Sequence, residues 1–334
     1  MTFWLPPLAL LLDLLFADPA RIPHPVRGIA LLADALEAPA RRLPHPVLVG
    51  VLVMLALLAV IGSCAATLLR LPFGLGAIAA IWLAWSGLAL GGLVRECTIA
   101  LAAVRDAEAN PEMLPKARQA VQMLVSRDTS AMQTPDLYRS LAESAGENFN
   151  DAFVAPWFWL CLGGPVALWL YKTASTMDSM WGYKTECWRS LGWASARLDD
   201  VLAFIPARLS ALFLWLPVWL RGLPASPRAL VRLAREKRLL HVQGWPGFAV
   251  VRQHALRSDS PNAGWPMAAS AWLFQGRAGG PTAYHGNVVQ KPLMGPEHGV
   301  WRHGNTAALI SHLRVAGLTG GALSFAVILG ISLL

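Results

Sequence analysis

Apolar residues run along this chain in blocks too long for the core of a soluble domain. The clearest cover residues 47–69, 73–94 and 316–334, each close to the roughly 20 residues that cross a bilayer as a helix. Residues 152–171 and 201–220 are apolar but broken, the first by Pro156 and by Gly163-Gly164-Pro165. Residues 2–16 are apolar and short, and carry Asp13. Between this segment and the first long block, Pro-rich ends enclose a short amphipathic stretch, which predicts an interfacial helix. Residues 95–151 are polar and helix-rich, with a Pro-marked break near 110–115, and residues 221–312 are basic and rich in Gly and Pro. No internal repeat is visible. The pattern predicts an all-α polytopic integral membrane protein of about four to six membrane segments, at least one of them broken or re-entrant. It predicts a single domain over residues 1–334, with polar site regions at 95–151, 172–200 and 221–312.

Composition agrees. Only 14% of the 334 residues are charged, against about a quarter in soluble domains, and the mean hydropathy is +0.45. The N-terminus lacks a basic n-region, so it is expected to be retained rather than cleaved. Four scattered cysteines, Cys64, Cys97, Cys161 and Cys187, suggest neither a zinc site nor a disulfide framework. The net charge of +8 is concentrated in residues 221–257, where Arg and Lys outnumber a single acid, Glu236. Placed after an apolar segment, this run predicts a cytoplasmic face and contact with anionic headgroups of the lipid bilayer. No motif supports nucleic-acid binding.

If every apolar segment crosses, residues 95–151 and 172–200 face opposite sides of the membrane, yet both are dense in charge. A break at membrane depth is tolerated where protein or a water-filled cavity surrounds it. Residues 152–171 are therefore expected to be re-entrant or half-spanning, so that the two polar regions meet.

Four polar clusters suggest chemistry. Arg139, Glu143, Glu147 and Asp151 recur every fourth residue, on one face of a helix. Arg139 is expected to neutralise Glu143, leaving Glu147 and Asp151 with oxygen ligands suited to Mg²⁺. Residues 172–200 hold Lys172, Asp178, Lys184, Glu186, Arg197, Asp199 and Asp200. Arg197 and Asp200, three apart, are expected to pair, leaving Asp199 for a metal or an amine. In Ser126–Met132, Asp128 or Thr129 suits a cap, and Arg127 a phosphate. In SDSPNAGWPMAAS, a turn by composition, Asn262 is the polar candidate. Walker, GxSxG and HExxH motifs are absent.

Together these stretches resemble the CobD/CbiB family of cobalamin biosynthesis. The resemblance rests on DPARIPHPVRGI, SRDTS, AESAGENFNDAFVAP, GGP with YK, MDSMWGYKTE, GWASARLDDV, IPARLSA, SPNAGWPMAA and a late GGP, in the family's order over about three-quarters of the chain. It implies an adenosylcobinamide-phosphate synthase, an ATP- and Mg²⁺-dependent ligase. Such an enzyme joins a propionate carboxylate of the corrinoid adenosylcobyric acid to aminopropanol or its phosphate. It also implies a bacterial inner-membrane location with a cytoplasmic site, and admits a homo-oligomer. Glu147, Asp151, Asp178 and Asp199 become the catalytic candidates. Arg127, Asp128, Thr129, Asn148, Lys172, Lys184, Arg197 and Asn262 become the substrate or phosphate contacts. Glu143, Glu147, Asp151, Asp199 and Asp200 become the Mg²⁺ candidates. The chain departs from the family pattern at Ser175, Lys184, Ser258, Met267 and Thr282. These departures keep open a non-catalytic relative acting as a membrane sensor, or a corrinoid carrier.

Overall fold

The computed structural model describes residues 3–17, 24–182, 188–222, 246–284 and 287–332. Five helical stretches are long and apolar enough to cross a membrane: Pro46–Leu69, Leu75–Ala109, Thr134–Trp181, Phe204–Arg221 and His303–Gly330. The chain is thus a helical membrane protein, as its apolar blocks predict. Two compact units can be distinguished, one built from residues 1–91, 151–206 and 324–334, the other from 92–150 and 207–323.

In the first unit, α1 (Leu5–Phe16), α2 (Pro25–Arg41), α3 (Pro46–Leu69) and α4 (Leu75–Ser86) pack with α8 (Ala155–Trp181) and α9 (Trp193–Leu202). Proline opens α2 and α3 at positions where a missing N–H costs nothing. The amphipathic stretch is α2, which buries Ile29, Ala33 and Ala40. A core of Ala33, Ala40, Val49, Met54, Leu57, Met177, Trp181 and Leu191 ties α2 and α3 to α8. Asp13, fully buried on α1, accepts the N–H of Gly91 at 3.0 Å. It thereby satisfies a donor at the start of α5 (Leu90–Ala109).

The expected break falls inside α8. Gly164 adopts φ 69°, ψ −164°, and Pro165 follows it. A straight helix would separate residues 155 and 171 by about 24 Å. Instead Ala155 and Tyr171 share one buried cluster with Ala203. Asp151 and Asp178, at opposite ends of the helical segment, feel each other's charge. The helix therefore turns back on itself at Gly164, and its two halves run side by side.

The second unit holds most of α5, α6 (Leu114–Gln122), α7 (Thr134–Phe149), most of α10 (Phe204–Gly222), α11 (Phe248–Ala255) and α12 (Gly264–Leu273). It also contains most of α13 (His303–Ser332). The apolar run at 316–334 marks only the far part of this helix, which begins at His303 because its first turns pack within the unit. There Asn305 donates to the carbonyls of Phe274 and Val300, and the His312 ring contacts the Leu214 carbonyl at 2.6 Å. One element departs from the all-helical expectation. Strands β1 (Ala278–Tyr284) and β2 (Asn287–Met294) form an antiparallel hairpin. The Gly-Gly-Pro of β1 hides a strand signal, and β1 is bonded to Arg139 and Glu143 of α7.

Candidate functional site

The row of charges at four-residue spacing runs along α7 into a wider π-helical turn, Asn150–Val154, which carries Asp151. Arg139, Glu143 and Glu147 belong to the second unit and Asp151 to the first.

Within the second unit the expected Arg139–Glu143 pair is replaced by another. Glu143 Oε2 meets Arg127 Nη1 at 2.6 Å, with both side chains buried. Glu143 Oε1 accepts the Gly279 N–H at 2.8 Å. Arg139 turns instead to Asp136, at 3.1 Å, and to the carbonyls of Gly279 and Pro281. Glu143 and Arg139 thus hold the first strand of the hairpin through three hydrogen bonds, with the Asp128 N–H donating to Ala283 O as a fourth. Partner choice follows tertiary packing: a guanidinium enclosed beside a carboxylate beats one that can reach only from the helix edge.

The remaining candidates of this unit have local partners. Asp128 Oδ1 accepts the Ser130 N–H at 2.8 Å, the turn-capping role expected of this loop. Thr129 is buried, with its hydroxyl at 3.0 Å from both Arg118 O and Gln122 Oε1. Asn148 donates to the Ser144 carbonyl at 3.0 Å. Asn262 is buried and accepts from Arg208, whose guanidinium lies 4.8 Å from the centre of the Trp265 ring. Two departures from the family pattern also have structural roles: Ser258 Oγ accepts the Ser260 N–H, and buried Thr282 donates to Gly280 O. Burial, then Arg257 and Arg277, hold His254 below the usual imidazole range. The neutral ring can therefore accept the Gly295 N–H on Nδ1, at 3.2 Å.

The buried Arg127–Glu143 pair yields a first prediction. Removing one partner leaves an uncompensated buried charge, at a cost of about 3–5 kcal/mol. Glu143→Leu alone should lower the unfolding temperature in detergent more than the double variant Arg127→Leu with Glu143→Leu. Equal losses would contradict the pairing.

In the first unit the reversal of α8 assembles a different site. Asp151 arrives at the start of the helical hairpin, while Tyr171, Lys172 and Asp178 lie on its returning half and Asp199 and Asp200 on α9. Asp199 feels the charges of Asp151, Asp178, Asp200 and Lys172. Burial first, then the three neighbouring carboxylates, push its carboxyl up to about 8, against an opposing pull from Lys172. Its Oδ1 is buried and has no hydrogen-bond partner among the described residues. Arg197 and Asp200 approach to 4.0 Å with the arginine exposed, the weak surface pair that their spacing predicts. Lys184 and Glu186 lie outside the described residues, as does much of the basic run of residues 221–257.

The tryptophans crowded into this region are structural. The rings of Trp181 and Trp188 stack at 5.6 Å, and Arg41 lies 4.1 Å over Trp188 while pairing with Glu37 at 2.7 Å. Gly192 packs so closely on the Trp181 carbonyl that a side chain there would collide with it.

Among the described residues, no three His, Cys, Asp or Glu side chains converge to hold a metal ion. Glu143 has both oxygens committed to protein partners. The donors among the described residues do not form a site for a resident Mg²⁺.

These features define a polytopic helical membrane protein with a buried acid site built around a helix reversal. Comparison with known proteins supplies the family. The CobD/Cbib protein family matches residues 6–310. A "Cobalamin biosynthesis protein CobD" of Rhodobacter capsulatus is 38% identical over 247 residues, covering 72% of this chain and 69% of that protein. Proteins of the same description from Pelobacter propionicus and Klebsiella pneumoniae are 36% and 35% identical, each covering 86% of this chain, with 83% and 85% of their own lengths aligned. No solved structure matches. The chain belongs to the CobD/CbiB family.

The sequence singled out Asp178 and Asp199 but missed Tyr171 and Asp13. Both sit in apolar surroundings where a lone polar residue gives no periodic signal, and only their burial beside other polar groups sets them apart.

Proposed function

We propose that this protein acts in cobalamin biosynthesis as an ATP-dependent ligase of the inner membrane. Its reaction would join a propionate carboxylate of adenosylcobyric acid to the amine of aminopropanol or its phosphate. The observation that carries the reading is Asp199, whose Oδ1 is buried without a hydrogen-bond partner among the described residues, and whose carboxyl is pushed up by burial and then by Asp151, Asp178 and Asp200 toward the working range of a general base. General-base catalysis is most effective when the base titrates near the operating pH.

A carboxylate is a poor acyl donor. In the proposed sequence, a carboxylate oxygen of the corrinoid attacks the γ-phosphorus of ATP, ADP leaves, and an acyl phosphate forms. The amine nitrogen then attacks the acyl carbon and inorganic phosphate leaves as the amide bond closes. Of the two protons shed by the bound ammonium, the first passes to the carboxylate form of Asp199 and frees the nitrogen lone pair, and the second leaves with the phosphate. Asp151 and Asp178 keep the pocket negative, which favours the cationic amine over an anion, and Lys172 on the same returning half-helix is the candidate phosphate contact in this unit. The Arg127–Glu143 pair acts by holding the hairpin rather than by touching substrate. A cytoplasmic site suits a reaction that consumes ATP.

Purified protein supplied with adenosylcobyric acid, aminopropanol phosphate and MgATP should form the amide and release ADP and phosphate in equal amounts. Absence of amide from folded protein would refute the ligase and favour the sensor or carrier readings.

A further inference from the structure

Two polar atoms in the first unit are buried without hydrogen-bond partners among the described residues: Asp199 Oδ1 and the hydroxyl of Tyr171. They lie in one region of the unit: Tyr171 packs with Ala203, one turn beyond Asp199 on α9, and its hydroxyl feels the charges of Asp151, Asp199 and Asp178. Tyr171 is only 1% exposed. Ser175, one turn further along α8, comes close to its oxygen without reaching hydrogen-bond geometry. A buried polar group left unmatched costs about 1–3 kcal/mol, so two in one region mark a place shaped for something else. Asp178, Asp199 and Asp200 are all partly exposed.

The chemistry of the pocket narrows its ligand. Next to Asp199 the carboxylates of Asp151, Asp178 and Asp200 outnumber Lys172 and favour a cation. A metal ion would need converging donors that the described residues do not provide. Both orphaned oxygens can accept hydrogen bonds, and a primary ammonium carries the positive charge and three N–H donors. We propose that Tyr171 and Asp199 bind the ammonium group of a small primary amine, Tyr171 Oη and Asp199 Oδ1 each accepting one N–H while the third faces the remaining carboxylates. The proposal deepens the ligase reading, because it places the nucleophile of that reaction and makes Tyr171 a determinant of amine affinity. Amines without N–H donors should be rejected although they carry the same charge.

Titration of the purified protein in lipid nanodiscs with ethanolamine, choline and MgCl₂, followed calorimetrically, tests this without requiring turnover. Wild-type protein is expected to bind ethanolamine and not choline. Tyr171→Phe, which keeps the ring and its packing, should weaken ethanolamine binding roughly tenfold at unchanged unfolding temperature, the loss of one hydrogen bond to a charged group. Asp199→Asn should weaken it further. In the amide-forming assay Tyr171→Phe should raise the KM for the amine by a similar factor with little change in kcat. Equal binding by Tyr171→Phe, equal binding of choline, displacement of ethanolamine by Mg²⁺, or no amine binding at all (the pocket then holding water alone) would each overturn the proposal. Amine binding that depends on Tyr171, with no amide product, would overturn the ligase reading and leave the amine site standing. Amide formation with an unchanged amine KM in Tyr171→Phe would do the reverse.

Discussion

Asp199→Asn is expected to abolish amide formation while making the ligand-free protein more resistant to heat, and the gain should grow with pH. An unfolded aspartate releases its proton near pH 3.9. In the folded protein Asp199 keeps its proton up to about pH 8, because burial and then the charges of Asp151, Asp178 and Asp200 disfavour the carboxylate. Between those two values the folded state binds more protons than the unfolded state. Stability contributed at this site therefore falls as pH rises through that window and levels off above it. Asparagine has no proton to lose, so the variant escapes the decline. Unfolding temperatures of the two proteins in the same detergent should nearly coincide near pH 4 and separate by a few degrees by pH 8–9, in favour of the variant. A difference that stays flat with pH would show that Asp199 is not held in its neutral form by its surroundings. Loss of function joined to gain of stability is the mark of a group kept for chemistry at a structural cost.

Gly164→Ala should impair the protein more than any other single-methyl addition in α8. Nothing lies within 4 Å of the position a side-chain carbon would take, so crowding is not the reason. The reason is backbone conformation: φ 69° with ψ −164° is open to glycine and strained for any residue with a Cβ. That strain, about 1–3 kcal/mol, falls on the residue that lets the two halves of α8 run side by side. Relief by straightening would carry Asp151 away from Asp178 and Asp199. The variant is expected to lose most of the proposed ligase activity and several degrees of unfolding temperature. Activity equal to wild type would mean that the reversal is not required for the site. Alanine at Gly28, where there is also open space but no positive φ is recorded, is the control and should be nearly neutral.

The acid site shows how far sequence reasoning reaches. Arg197 and Asp200 stand three residues apart on a regular helix, and their pairing needs nothing beyond helical geometry. The Arg139–Glu143 expectation uses the same geometry and fails. Arg127 approaches from a separate loop and the Gly279 N–H from a strand 136 residues away, and both are better placed in three dimensions than the neighbour one turn back. Asp151 stands in a π-helical turn of five residues, and no residue in NDAFV announces that turn.

What this sequence determines by itself is what local periodicity and bilayer thickness dictate: long apolar helices, an amphipathic helix at Pro25–Arg41, and a break at Gly163-Gly164-Pro165. These depend on neighbours within a turn or two and on the high cost of exposing backbone groups to lipid. The direction taken after the break, the partner of Glu143, the hairpin clasped by α7, and the meeting of Tyr171 with Asp199 were decided only by the tertiary structure. Each of these is a choice among groups far apart in the chain, settled by which of them packing brings within hydrogen-bond or charge range. Local spacing carries no information about that competition.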